Sequence, residues 1–185
     1  MQKKDKETNT NIPQGDATLE KAVYGLYARN DIVHPDGATG VVYKAGEKVA
    51  TLTTDKNGTA FVENLYLGNY YVKEITPSVG YLADESEYDL ACSYEGDLVA
   101  TVERSCTSPE QVKKQPFQLI KAANNGKTDA DLLEGAGFTA YLVSSLDTKE
   151  DGSYDFASAV PVVIGENGAT EIFTDEKGYA CSIPL

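Results

Sequence analysis

Two stretches of this chain repeat the same pair of motifs in the same order. Leu19-Glu20-Lys21-Ala22-Val23-Tyr24 is answered by Leu133-Glu134-Gly135-Ala136-Gly137-Phe138. Thr54-Asp55-Lys56-Asn57-Gly58-Thr59-Ala60 is answered by Thr174-Asp175-Glu176-Lys177-Gly178-Tyr179-Ala180. The offsets are 114 residues (22 to 136) and 120 residues (54 to 174). A period that long is too large for a solenoid and suits two tandem domains. Two domains of ordinary size need more than the 185 residues present, so the second copy is expected to be truncated.

The local pattern is almost wholly β. Residues 22–28 alternate, with Tyr24 and Leu26 on one face, and short runs rich in Val, Thr and Tyr follow at 48–54, 59–63, 69–76, 87–95 and 98–105. His34-Pro35-Asp36-Gly37, Asn57-Gly58, Leu67-Gly68-Asn69 and Gly96-Asp97 separate them as turns. Strands at this spacing predict a sandwich of antiparallel sheets. Ser108-Pro109-Glu110 reads as a helix start of cap, proline and acid, and Thr128-Asp129-Ala130-Asp131 as another. A polar link over Ser108–Gln115, expected to be fairly stiff, places the domains at 1–112 and 113–185, and Phe117-Gln118-Leu119-Ile120-Lys121 opens the second as a strand. Without covering strands, its Phe138, Ala140 and Leu142 face is expected to be exposed or to lean on the first domain.

Charge narrows the partners. Sixteen basic against 29 acidic residues give a net charge of −13, which opposes nucleic acid and anionic lipid. Partners are therefore expected among proteins, glycans or cations. No run approaches the roughly 18 apolar residues of a membrane span, and nothing at the N-terminus resembles a signal peptide. Cys92, Cys106 and Cys181 have no zinc-type spacing, and the one histidine, His34, completes neither a metal site nor a catalytic triad. A hairpin at Glu95–Leu98 sets Cys92 opposite Thr101 and turns Cys106 to the other face. The thiols are thus read as small, buried and free, with a Cys92–Cys106 bridge as the alternative that a bulge permits. Asp147, Glu150, Asp151 and Asp155 miss the spacing of a calcium loop and read as a solvated acidic loop, so neither metal nor cofactor is expected. Asn57-Gly58-Thr59 fits a glycosylation pattern but reads first as a hairpin turn.

After its turn, the first copy continues with Leu65-Tyr66-Leu67-Gly68-Asn69-Tyr70-Tyr71-Val72-Lys73-Glu74, then Pro77 and Gly80-Tyr81. With the preceding motifs, this order and spacing over residues 3–106 resembles the SpaA/Cna-B (prealbumin-like) domains of Gram-positive surface proteins and pilins. Residues 117–185 resemble a truncated second domain. The resemblance implies tandem all-β prealbumin-like sandwiches, serving without turnover chemistry as a stalk or adhesive module of a pilin or adhesin. Its partners would be other domains of the same protein, and host or glycan ligands. It implies an extracellular, wall-anchored or secreted location, with the chain a piece of a longer protein whose signal and sorting segments lie elsewhere. Val42-Tyr43-Lys44 lacks the Pro and Asn of the pilin-backbone lysine motif. The alternative is a carbohydrate-binding β-sandwich with tyrosine platforms, for which three coplanar exposed tyrosines on one face would speak.

In this family a first-strand lysine attacks an Asn or Asp side chain on the last strand, assisted by a glutamate, and an intramolecular isopeptide bond results. The underlying chemistry is general: burial strips an amine of its charge and makes it nucleophilic, a buried carboxyl beside it can hold a proton, and proximity supplies the acceleration. The resemblance assigns the glutamate to Glu74 and the lysine to Lys3, in Lys3-Lys4-Asp5, with Lys121 as its equivalent in the second domain. No acceptor is identified: Arg104-Ser105-Cys106-Thr107-Ser108 holds no Asn or Asp, and Asp89 and Asp97 look misplaced. The expectation is therefore a vestigial site, a buried Lys3–Glu74 pair without a covalent bond.

Overall fold

The computed structural model describes residues 1–124 and 131–185, so most of the helix start expected at 128–131 lies outside the described residues. Two compact units result, Met1–Lys113 and Lys114–Leu185. The described residues are almost all strand, turn and extended chain, with two short 3-10 turns. Among them no helix is long and apolar enough to cross a membrane.

The first unit runs β1 (Gln2–Asp5), β2 (Val23–Ala28), β3 (Ile32–Val33), β4 (Val41–Tyr43), β5 (Lys48–Thr53), β6 (Gly68–Thr76), β7 (Glu87–Cys92) and β8 (Thr107–Glu110). Period-2 alternation gives β2 and β6 an apolar face and a polar one. These strands pair antiparallel in the order β5-β2-β6-β7. The buried face carries Tyr24, Leu26 and Ala28 from β2, Leu52 from β5, and Tyr70 and Val72 from β6, joined by Ala22, Ile32 and Ala60. A smaller cluster holds Leu19, Tyr81 and Val112 together. Strands β1 and β8 form a separate two-stranded sheet, as do β3 and β4. The sheets are small and do not close on one another.

Three expectations are corrected. Residues 98–105 form no strand: β7 pairs with β6, Cys92 opposite Gly68, and the expected hairpin with Cys92 facing Thr101 is not made. Residues 59–63 reduce to a single bridge, Thr59 with Gln2. Ser108-Pro109-Glu110 starts no helix but lies within β8, which runs parallel to β1 and not antiparallel. Backbone pairing with a strand a hundred residues away overrides the local capping signal. Pro109 is tolerated because it lies on the exposed side of a short edge strand. The expected polar link therefore begins inside the first domain, whose Ser108, Glu110 and Val112 are all buried.

The second unit contains β9 (Gln118–Ile120), β10 (Gly137–Thr139), β11 (Asp147–Thr148), β12 (Tyr154–Asp155), β13 (Glu171–Phe173) and β14 (Tyr179–Cys181). They pair two by two: β9 with β14, β10 with β13, β11 with β12. Its backbone repeats the first unit's at matching positions. The Thr54 hydroxyl donates to the Leu19 carbonyl at 2.6 Å and accepts from the Ala22 N–H at 3.0 Å. The Thr174 hydroxyl does the same with Leu133 and Ala136 at 2.6 and 2.9 Å. Phe138 and Ala140 are half-buried and Leu142 is exposed.

Candidate functional site

Alternation on β1 turns Lys3 and Asp5 inward, and alternation on β8 does the same for Ser108 and Glu110. The parallel register sets Lys3 beside Ser108 and Asp5 beside Glu110. From the large sheet, Tyr24 on β2 stands opposite Glu74 on β6. These side chains meet in the interior, where Lys3 is 0%, Glu110 1% and Glu74 8% exposed.

The Lys3 amine contacts Glu110 Oε2 directly and lies 3.5 Å from Glu74 Oε1. Glu74 Oε2 accepts the Asp84 N–H at 2.9 Å, which fixes the carboxyl's orientation. Glu110 Oε1 accepts from the Tyr24 hydroxyl and, at 3.0 Å, from the Ser108 hydroxyl. Tyr81 closes one side, its ring centroid 4.8 Å from Lys3 Nζ and its hydroxyl donating to Asp5 Oδ2 at 2.9 Å.

Burial pushes the Lys3 amine below its usual range, and the attraction of Glu74 opposes that shift without cancelling it. If all three groups were ionised, one amine would face two carboxylates and a negative charge would stand uncompensated in the interior. Asp5 differs. Burial acts to raise its pKa, but donors from Thr8, Gln14, Tyr81 and Glu7 outweigh it and hold the carboxyl below its ordinary value. An amine whose charged form is disfavoured by burial, set against a carboxyl and with a second carboxyl in reach of the same nitrogen, is an arrangement able to form an amide.

The residue that sequence reasoning missed is Glu110. Its signal was the alternation Ser108-x-Glu110, two inward positions that pair with Lys3-x-Asp5. Asp89 and Asp97, the acids weighed instead, are both exposed: Asp89 pairs with Arg29 and Asp97 accepts from the Tyr94 hydroxyl. Lys121 stands where Lys3 does in the repeat, its N–H donating to Gly178 as that of Lys3 donates to Gly58, at 2.7 and 2.8 Å. It is nonetheless exposed. Cys92 and Cys106 are half-buried against the main core, whereas Cys181 is exposed and not buried as expected. In the acidic loop Asp147 faces Asp155 across β11 and β12, and no described residues gather into a metal-binding group. His34 lies 2.9 Å from Asp36. Tyr24, Tyr70 and Tyr81 are buried. On the outer face Tyr27 and Tyr71 stack at 5.1 Å, with the Arg29 guanidinium over Tyr71 at 4.0 Å.

Residues 1–105 match the family model described as SpaA, a prealbumin-like fold domain. No curated protein matches the sequence. Among solved structures, the Bacillus anthracis TIE protein is 17% identical with a TM-score of 0.48, over 98% of this chain and 25% of its own. A streptococcal ancillary pilin is 22% identical with a TM-score of 0.38, over 99% of this chain and 48% of its own. GBS52, the minor pilin of Streptococcus agalactiae, is 14% identical with a TM-score of 0.29, over 94% of this chain and 70% of its own. The chain thus spans a quarter to a half of the first two.

Proposed function

The chain belongs to the SpaA prealbumin-like fold family, and from that premise we propose a load-bearing module of an extracellular surface protein, without catalytic turnover. The carrying observation is the buried contact of Lys3 with Glu110, which joins the first and last strands of one domain. Tension on a stalk enters a domain at its first strand and leaves after its last. Parallel neighbours such as β1 and β8, pulled from opposite ends, are loaded in shear, and without a covalent link a short ladder of hydrogen bonds and the Lys3–Glu110 contact resist separation.

A covalent clamp at that point would carry the load through side chains. In this reading Lys3 Nζ adds to Glu110 Cδ, the C–Oε2 bond breaks, and water leaves an amide. Glu74 takes the proton released by the nitrogen and returns it to the departing oxygen. Glu110 thus fills the acceptor role expected of an Asn or Asp, and the bond is proposed where the sequence alone argued against one. The Lys114–Leu185 unit is read as the N-terminal part of a second domain of the same kind. Its repeated threonine bridges and its exposed Ile120, Leu142 and Phe173 support that reading. Other domains of the same protein are the partners it would take.

Single-molecule pulling on the whole 185-residue chain tests the clamp. The 107 positions separating Lys3 from Glu110 are expected to stay closed at forces that unravel the second unit. Their release as free chain length would overturn the clamp. Antibody labelling of intact cells that carry the parent protein tests the location. Staining only after the cells are broken open would contradict it.

A further inference from the structure

We propose that the Tyr24 and Ser108 hydroxyls form an oxyanion site for Glu110, stabilising the tetrahedral intermediate as the Lys3 amine adds to its carboxyl carbon. This inference rests on the Lys3–Glu110 amide proposed above and adds to it two groups that touch the reacting carboxyl.

The two oxygens of Glu110 have different surroundings. Oε1 accepts from both hydroxyls, Ser108 at 3.0 Å and Tyr24 in direct contact, and those hydroxyls are themselves 3.3 Å apart. Oε2 faces the Lys3 amine. The oxygen held by neutral donors is suited to receive the carbonyl electron pair, and the oxygen facing the amine is suited to leave. Burial pushes the Tyr24 phenol far above its usual pKa, so it stays a donor throughout the working pH range. Ser108 is fully buried, and its place is set by the β1–β8 register that sets it beside Lys3. Both donors are therefore fixed before reaction, as electrostatic preorganisation requires.

The step balances. The Nζ lone pair forms a bond to Cδ of protonated Glu110, and the C=O pair moves onto Oε1 between the two hydroxyls. A proton passes from the nitrogen to Glu74 Oε1, 3.5 Å away, and on to Oε2. The pair on Oε1 then reforms the carbonyl as Oε2 departs in water. The amide carbonyl is left on the donors that held the intermediate.

Cell-free synthesis of the full chain, sampled by intact mass from the moment synthesis stops, gives the rate of water loss. Near-UV circular dichroism identifies the folded samples. Folded Tyr24→Phe and Ser108→Ala chains are each expected to link about a hundredfold more slowly than wild type, and Ser108→Thr, which keeps the hydroxyl, to recover much of the rate. A merely structural role would alter folding and leave the rate of folded chains unchanged. Wild-type rates in both folded variants would overturn the inference while leaving the amide standing. A folded wild-type chain that never loses water would overturn the amide itself, and this inference with it. Should Tyr24→Phe fail to fold, Ser108→Ala, the loss of one oxygen atom, decides the question alone.

Discussion

The hydroxyls of Tyr24 and Ser108, from strands of different sheets, lie 3.3 Å apart and converge on the same oxygen of Glu110. That convergence holds the carboxyl against Lys3, so the proposed amide depends on the packing of the first, second and last strands of this domain.

Among the described residues, Glu74 is the carboxyl besides Glu110 that lies within reach of the Lys3 nitrogen, placed to carry a proton away from it while Glu110 reacts. Glu74→Gln keeps the side-chain shape and removes that capacity. We expect the folded variant to link about a hundredfold to ten-thousandfold more slowly, the range of general acid–base assistance. A time course of intact mass checks this, and linkage at the wild-type rate would remove Glu74 from the mechanism.

Asp5 sets an acid limit. Its folded pKa lies below its unfolded value, since the surrounding donors outweigh burial. Its contribution is therefore complete above the unfolded carboxylate value of about 3.9 and is lost as pH falls through the folded value. Denaturant unfolding across that acid window is expected to show a loss of stability that Asp5→Asn lacks. Parallel pH profiles for the two chains would contradict it.

Lys3 shifts in the same direction as Asp5 but acts in an alkaline window. Its folded pKa lies below that of the unfolded amine, so the unfolded chain binds more protons and the unlinked protein gains stability as pH rises towards about 10.4. Neutral amine is also the attacking form and Glu110 must hold its proton, so the linkage rate is expected to climb as the amine is neutralised and to fall again where Glu110 ionises. A rate that only falls as pH rises would contradict the nucleophilic role.

The alternating strands were legible in the sequence because one face of each is apolar. Tyr24 and Leu26 on β2, and Tyr70, Val72 and Glu74 on β6, point inward as their period-2 pattern requires. Strand β8 was not legible. Its four residues are Thr-Ser-Pro-Glu, a sequence that locally favours a helix cap, and only a partner a hundred residues away makes them a strand. Conversely, the Val- and Thr-rich stretch 98–105 has β-propensity but no partner among the described residues, and propensity alone does not make a sheet. The candidate site was therefore read with its lysine and glutamate in place and its acceptor missing.

Gly58 shows how closely the turn after β5 approaches β1. Its φ is +75°, and an added Cβ would stand 2.6 Å from the Lys3 carbonyl oxygen. Gly178 repeats this in the second unit, 2.4 Å from the Lys121 carbonyl. Gly58→Ala, made in the Glu110→Ala background so that no link masks the effect, is expected to cost about 1–3 kcal/mol through backbone strain. A change in the denaturation midpoint equivalent to less than about 0.5 kcal/mol, the usual range of surface substitutions, would show that β1 moves aside freely.

The central claim is the amide between Lys3 and Glu110, and intact mass of the purified full chain tests it most directly. We expect wild type to weigh one water less than its sequence, and Lys3→Ala and Glu110→Ala to show the full sequence mass. Glu110→Gln is expected to lose ammonia in place of water and converge on the wild-type product mass, because both routes end in the same amide. Tandem mass spectrometry should then recover the peptides bearing Lys3 and residue 110 as one branched species. A folded wild-type chain at its full sequence mass, with those peptides separate, would contradict the claim.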